Sequence, residues 1–161
     1  MRTKIRVLVV LATATFLAAL VGMQSASSQT VLNLVLPADT QKVRAFDTDD
    51  NGLRLGDRVA ARGPLTDADG TAAGMSYAEC VVQRRILGSE DGLWLCTYVL
   101  DLADGELVVK GLDPRGPGDY EMAVLGGTGA YANASGDATF TDTTDETQNV
   151  GRTEMLIRLS N

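Results

Sequence analysis

The sequence predicts an all-β chain, an eight-stranded antiparallel β-barrel, and three observations carry that expectation. Apolar and β-branched residues recur in short or alternating runs, the pattern of strands with one face buried. Asp-Gly pairs and other turn residues separate these runs, and both residues of such a pair accept the positive φ of a tight hairpin. Beyond residue 28, apolar positions nowhere keep helical spacing for three turns. Many antiparallel strands in a small domain must hide their edges, and closure into a barrel does this best.

The first element is not part of the barrel. Arg2, Lys4 and Arg6 precede an uncharged apolar stretch from Val7 to Val21, and Ala26-Ser27-Ser28 supplies small residues, the order of a secretory signal peptide. Residues 1–28 are therefore read as a signal cleaved near Gln29, and residues 29–161 as a barrel domain. The alternative for such a run is a retained membrane anchor. Cleavage predicts a secreted, extracytoplasmic protein with no stable membrane association.

The strands then follow in order: Val31 to Leu36, Asp57 to Leu65, Met75 to Leu87, Leu93 to Leu102, Glu106 to Gly111, Tyr120 to Leu125, Asp137 to Asp142 and Arg152 to Leu159. Breaks fall at Asp49-Asp50-Asn51-Gly52, Asp67-Ala68-Asp69-Gly70, Ser89-Glu90-Asp91-Gly92, Asp104-Gly105 and Pro114-Arg115-Gly116-Pro117-Gly118. Gly126, Gly127, Thr128 and Gly129, closed by Gly136, form the densest glycine cluster. Gly127-x-Gly129 resembles the start of a phosphate loop, but such a loop needs a helix after it. Asp137 to Asp142 alternates instead like a strand, so the cluster reads as a structural corner.

Cys80 and Cys96 fall in neighbouring predicted strands. If Leu87 faced Leu93, paired numbers would sum to 180 and place Cys80 opposite Leu100, out of disulfide reach. A register summing to 176 would bring the cysteines together. Disulfide and two buried thiols both stand open, with export favouring oxidation.

Composition narrows the chemistry. The chain has 14 basic and 21 acidic residues and no histidine. The signal holds three of the basic residues and none of the acidic ones, leaving eleven against twenty-one, a net charge of −10. Such a surface repels nucleic acid. Without histidine, the commonest general base and the usual serine triad are absent. The Asp47-x-Asp49-Asp50-Asn51-Gly52 and Asp67-x-Asp69-Gly70 loops lack the downstream Glu of a calcium loop, so no metal is expected. Met75-x-Tyr77-x-Glu79 and Trp94-x-Cys96-x-Tyr98 each line one strand face, as packing or as a pocket wall.

Taken in order, Gly56-Asp57-Arg58-Val59, Glu79-Cys80-Val81-Val82, Cys96-Thr97-Tyr98-Val99-Leu100, Asp104 to Gly111, and Met122 to Tyr131 ending near Gly136 resemble the allene oxide cyclase and dirigent superfamily, its bacterial barrels included. The resemblance implies an eight-stranded barrel with an apolar cavity, often a homo-oligomer, that works without a cofactor. It matches the cavity cysteine of the plant cyclases to Cys80. Where those cyclases carry a first-strand carboxylate, Val31-Leu32-Asn33-Leu34 offers an amide, and where dirigent proteins place a corner arginine, this chain has Ala132-Asn133-Ala134.

Two function classes follow. One is an exported, dirigent-like barrel that binds a small apolar molecule and does little chemistry. The other is a cofactor-free cyclase or isomerase in which Asn33, Cys80 and Tyr98 line the cavity, Tyr98 donating a hydrogen bond. An interior filled by Trp94, Tyr98 and Leu100 would exclude both. An open cavity with Cys80 reduced and Asn33 facing inward would favour chemistry.

Overall fold

A computed structural model describes residues 29–47, 52–85, 92–145 and 150–160; the segment read as a signal peptide lies outside them. Strands run in chain order as β1 (Thr30–Pro37), β2 (Lys42–Phe46), β3 (Arg58–Asp67), β4 (Ala72–Arg85), β5 (Gly92–Leu102), β6 (Gly105–Asp113), β7 (Gly118–Gly127), β8 (Ser135–Asp145) and β9 (Val150–Ser160), with short 3-10 turns at Ala38–Thr40 and Gly129–Tyr131. Hydrogen bonding orders them β1-β9-β8-β7-β6-β5-β4-β3-β2, and β1 returns to pair with β3.

That return closes the barrel. Leu34 and Val35 of β1 face Asp67 and Thr66 at one end of β3, and Lys42 to Phe46 of β2 face Arg62 to Arg58 at the other. β1 and β2 thus form one stave broken by the Ala38–Thr40 turn, and the barrel has eight staves. The eight predicted strands are all present, each within a few residues of its expected ends. β2 is the addition. Its alternation of Lys42 and Arg44 with Val43 and Ala45 is the signal that would have found it.

Side chains of one parity line the interior of each strand. At the end where β7 meets β8, Leu65, Leu100, Leu107, Phe140, Ile157 and Leu159 are almost entirely buried and pack as one core. Ala134, 4 % exposed, belongs to the same core. Thr128 ties the glycine-rich corner to the neighbouring β5–β6 hairpin. Its amide donates to the Glu106 carbonyl at 2.8 Å, and its Oγ1 accepts from the Glu106 amide at 3.0 Å. The Ala130 amide donates to the Asp104 carbonyl at 2.8 Å. These amides are therefore spent on a hairpin and turned away from any phosphate.

Other turns behave similarly. The Asp67 carboxylate accepts from its own loop, from the Asp69 amide at 2.9 Å and the Thr71 amide at 2.8 Å, an Asx turn. Asp57, 4 % exposed, accepts the Arg54 amide on its carboxylate at 2.7 Å while its carbonyl accepts the Val82 amide at 2.9 Å. The Gly56-Asp57-Arg58-Val59 segment thus anchors the start of β3 to β4.

The β4–β5 ladder takes the register summing to 176: Cys80 faces Cys96, with Cα atoms 4.0 Å apart and sulfurs bonded at 2.02 Å. Leu87, on which the alternative register was drawn, lies outside the described residues. Leu93 faces Arg84, after a bulge between Val82 and Arg84.

Candidate functional site

The packed core occupies only one end of the barrel. Toward the other end, where β3 begins and β6 ends, the interior opens as a cavity of about 370 Å³. Its walls come from every part of the sheet: Leu36 from β1, Val43 and Ala45 from β2, Val59 and Ala61 from β3, Ser76, Ala78 and Cys80 from β4, Trp94 and Tyr98 from β5, Asp113 from β6, Tyr120 from β7 and Asp142 from β8. The space exists because Ala61, Gly63 and Ala78 stand on β3 and β4 opposite the aromatic side chains of β5 and β7. The volume lies at the lower end of the roughly 300–1,000 Å³ usual for ligand pockets.

Trp94, Tyr98 and Leu100 all face inward, yet they do not fill the barrel. Two-residue steps along β5 spread them over its height, with Leu100 in the floor, Tyr98 midway and Trp94 toward the mouth. Phe140 braces the middle from below. Its ring centroid lies 5.0 Å from that of Tyr98 and 5.3 Å from that of Tyr120, the latter pair stacked at 22°.

The polar groups converge on this level. The Tyr98 and Tyr120 hydroxyls lie close enough to perturb each other's ionisation. Asp113, 5 % exposed, accepts the Arg115 amide on Oδ1 at 2.8 Å and holds the Arg115 guanidinium at 3.7 Å on Oδ2. Its Oδ2 also lies 3.9 Å from the Cys96 sulfur, which as a disulfide sulfur has no proton to give. The Arg115 guanidinium in turn lies 4.5 Å above the centroid of the Trp94 ring, within cation–π range. Ser76, 1 % exposed, presents a hydroxyl with no hydrogen-bond partner among the described residues.

Burial sets the protonation of this group. It pushes Tyr98 up to about 12, helped by the charge of Asp113, and raises Tyr120, helped by Tyr98 and Asp113. It also raises Asp113 above the usual carboxylate value, against the opposing pull of Arg115. Both tyrosines are neutral hydrogen-bonding groups at physiological pH, and Asp113 takes up a proton more readily than an exposed aspartate.

An alkaline measurement checks this. A tyrosine whose folded pKa stands above its unfolded value of 10.0 contributes stability below pH 10, and that contribution disappears as pH rises toward about 12. Two pK units amount to about 3 kcal/mol. Denaturation midpoints are expected to fall between pH 10 and 12, with Tyr98→Phe falling less steeply than the wild type. Parallel pH profiles would show that Tyr98 is not held in this environment.

Of the residues named from the sequence, Cys80 and Tyr98 meet at the cavity and Asn33 does not. Asn33 is exposed on the outer face of β1 and lines a separate pocket of about 340 Å³ with Thr141 and Glu154. The inward positions of β1 are Leu34 and Leu36, 7 % and 4 % exposed, so parity turns the amide away from the barrel. Cys80 lines the cavity as half of a disulfide, not as a thiol. Tyr77, 44 % exposed, lies on the outer surface, which removes the pocket reading of Met75-x-Tyr77-x-Glu79.

Sequence reasoning missed Asp113, Arg115, Tyr120 and Asp142 as a group. A signal was present: Asp113 shares the parity of Leu107 and Val109, and Asp142 that of Ala138 and Phe140. A carboxylate ending an apolar strand face is a candidate cavity residue.

No family model matches the chain, and no curated protein matches it. Solved structures do. A pyocyanin demethylase superposes with a TM-score of 0.62 at 25 % identity, over 79 % of this chain and 99 % of the other. The pterocarpan synthase dirigent protein PsPTS1 gives 0.65 at 19 % identity, over 83 % of this chain and 95 % of the other. The Diels–Alderase AbmU from Streptomyces koyangensis gives 0.59 at 16 % identity, over 81 % of this chain and 64 % of the other.

Proposed function

We propose that this barrel, of the allene oxide cyclase and dirigent type, is an exported protein that binds a compact apolar molecule in the open half of its interior and does little chemistry on it. The observation that carries the reading is the division of the barrel into a packed floor and an open, aromatic-walled cavity of about 370 Å³. A fold needing only stability would fill that volume, because unfilled core space is destabilising. Ser76 adds a buried hydroxyl available to a ligand, an arrangement that otherwise goes uncompensated. A methylene group takes the ~30 Å³ of a liquid water, so the cavity holds about a dozen such groups, a compact ring system and not a long acyl chain.

A second reading has its own observation. Asp113, raised toward protonation, and two neutral tyrosine hydroxyls converge on one space, and such groups can transfer or position a proton. This supports a cofactor-free cyclase or isomerase acting on the same molecule. The solved structures similar to the chain include both a dirigent protein and a Diels–Alderase.

Trp94 is the only tryptophan of the chain and lines the cavity, so its fluorescence reports occupancy directly. A panel of compact aromatic and alicyclic compounds is expected to change Trp94 emission with micromolar affinity. Ala78→Phe, which places a ring in the open space, should weaken that binding at least tenfold while retaining the wild-type circular dichroism. If no compound binds, or if Ala78→Phe binds as well as the wild type, the cavity is not the binding site. Recovery of the bound compound unchanged supports the carrier reading, and conversion supports the cyclase.

A further inference from the structure

We infer that the compact ring system held in this cavity, apolar over most of its surface, carries a delocalised positive charge, making it a planar organic cation; the inference rests on the cavity reading above and replaces a neutral ligand with a charged one. The chain already seats such a cation at the entrance. The Arg115 guanidinium is planar and delocalised, lies 4.5 Å over the Trp94 ring, and is held at 3.7 Å by the buried carboxylate of Asp113. An aromatic face beside a carboxylate is the pairing that recognises ligand cations, through the ring quadrupole and the opposite charge together.

The seat continues into the barrel. Below Trp94 stand Tyr98 and Tyr120, braced by Phe140, and Asp142 supplies a second carboxylate to the lining. The charges of Asp113 and Asp142 both reach the two tyrosine hydroxyls. Arg62 also borders the cavity, but it is exposed and pairs with Tyr77 on the outer face, so Arg115 is the cation whose side chain faces these groups. An anionic ligand would have to approach two carboxylates. A cationic one finds π faces, acceptors and an acidic molecule, of net charge −7 over the full sequence, whose field draws cations toward it.

Arg115 itself is placed to yield. It sits between β6 and β7 with φ of 51° and its side chain 47 % exposed, so its head can swing into water as a ligand takes its position over Trp94. The guanidinium then acts as a competing cation, and its removal should strengthen binding of a cationic ligand. A residue that clamps an anion would have the opposite effect.

The test compares isosteres on the full chain by titration calorimetry at low ionic strength. N-methylquinolinium, the uncharged 1-methylnaphthalene and the anionic 1-naphthoate share one ring size and differ in charge. N-methylquinolinium is expected to bind about tenfold more tightly than 1-methylnaphthalene. Arg115→Ala should tighten the cation further, by severalfold, and Asp113→Asn should bring cation and neutral ring within about threefold of each other. Equal binding of the cation and the neutral ring by the wild type overturns the inference and leaves the cavity reading standing. Tightest binding of 1-naphthoate, lost in Arg115→Ala, overturns it in favour of an anion clamp. If none of the three binds, this inference and the cavity reading both fail. The wild-type comparison needs no variant to fold.

Discussion

Gly136→Ala is expected to lower unfolding free energy by about 3–5 kcal/mol, near the upper end of single-residue effects. Gly136 is the second residue of β8, paired with Val124 of β7 on one side and Leu159 of β9 on the other. Its φ is +148°, and a Cβ built there would run into the Arg158 carbonyl oxygen and the Leu159 backbone. The alanine must therefore either adopt a conformation that costs about 1–3 kcal/mol or push β9 away from β8, disrupting ladder bonds beside the packed core. Gly118→Ala separates the two causes. Gly118 has φ of +132° and nothing within 4 Å of a Cβ, so it meets the backbone strain without the collision. Urea denaturation of both variants at constant m-value measures the difference. A Gly136→Ala loss no larger than that of Gly118→Ala would show that β9 can move aside.

Phe140→Ala is expected to cost a similar amount, about 3–5 kcal/mol, and to change the cavity as well. Phe140 is fully buried and is the common ring neighbour of Tyr98 and Tyr120. Its loss leaves a void continuous with the floor of the cavity and frees both tyrosine rings to tilt. Trp94 emission should report weaker binding of any compact ligand that the wild type holds. Phe140→Leu, which preserves most of the volume, should cost less than about 1.5 kcal/mol. A destabilisation by Phe140→Ala below about 1 kcal/mol would mean that the floor is not close-packed at this position.

How far the sequence could be read depends on the range over which each feature is specified. Strands such as Leu93 to Leu102 were legible because alternation and flanking turn residues are local. The Gly126 to Gly129 corner was legible as structural because a strand follows it where a phosphate loop would need a helix. β2 escaped notice because it is short and exposed, its residues packing on no core. The candidate site was legible only in part. Tyr98 and Cys80 are visible as cavity candidates, whereas Asp113 and Asp142 stand at the ends of strands that only the barrel brings together.

Asn33 shows the same limit from the other side. Its alternation with Leu32 and Leu34 is visible in sequence, but only the barrel decides which of the two faces is enclosed, and here Leu34 points inward. The cysteines depended on one ladder: a sum of 180 would have placed them apart, and the observed sum of 176 joins them.

The sequence alone determined the all-β class, the order of the eight principal strands, and the corner and turns between them, because dihedral preference and two-residue periodicity act within a few residues. The tertiary structure decided the register, the inward face of each strand, the disulfide, and the division into a packed floor and an open mouth. These are non-local pairings, in which a slip of one residue turns every side chain of a strand to the opposite face.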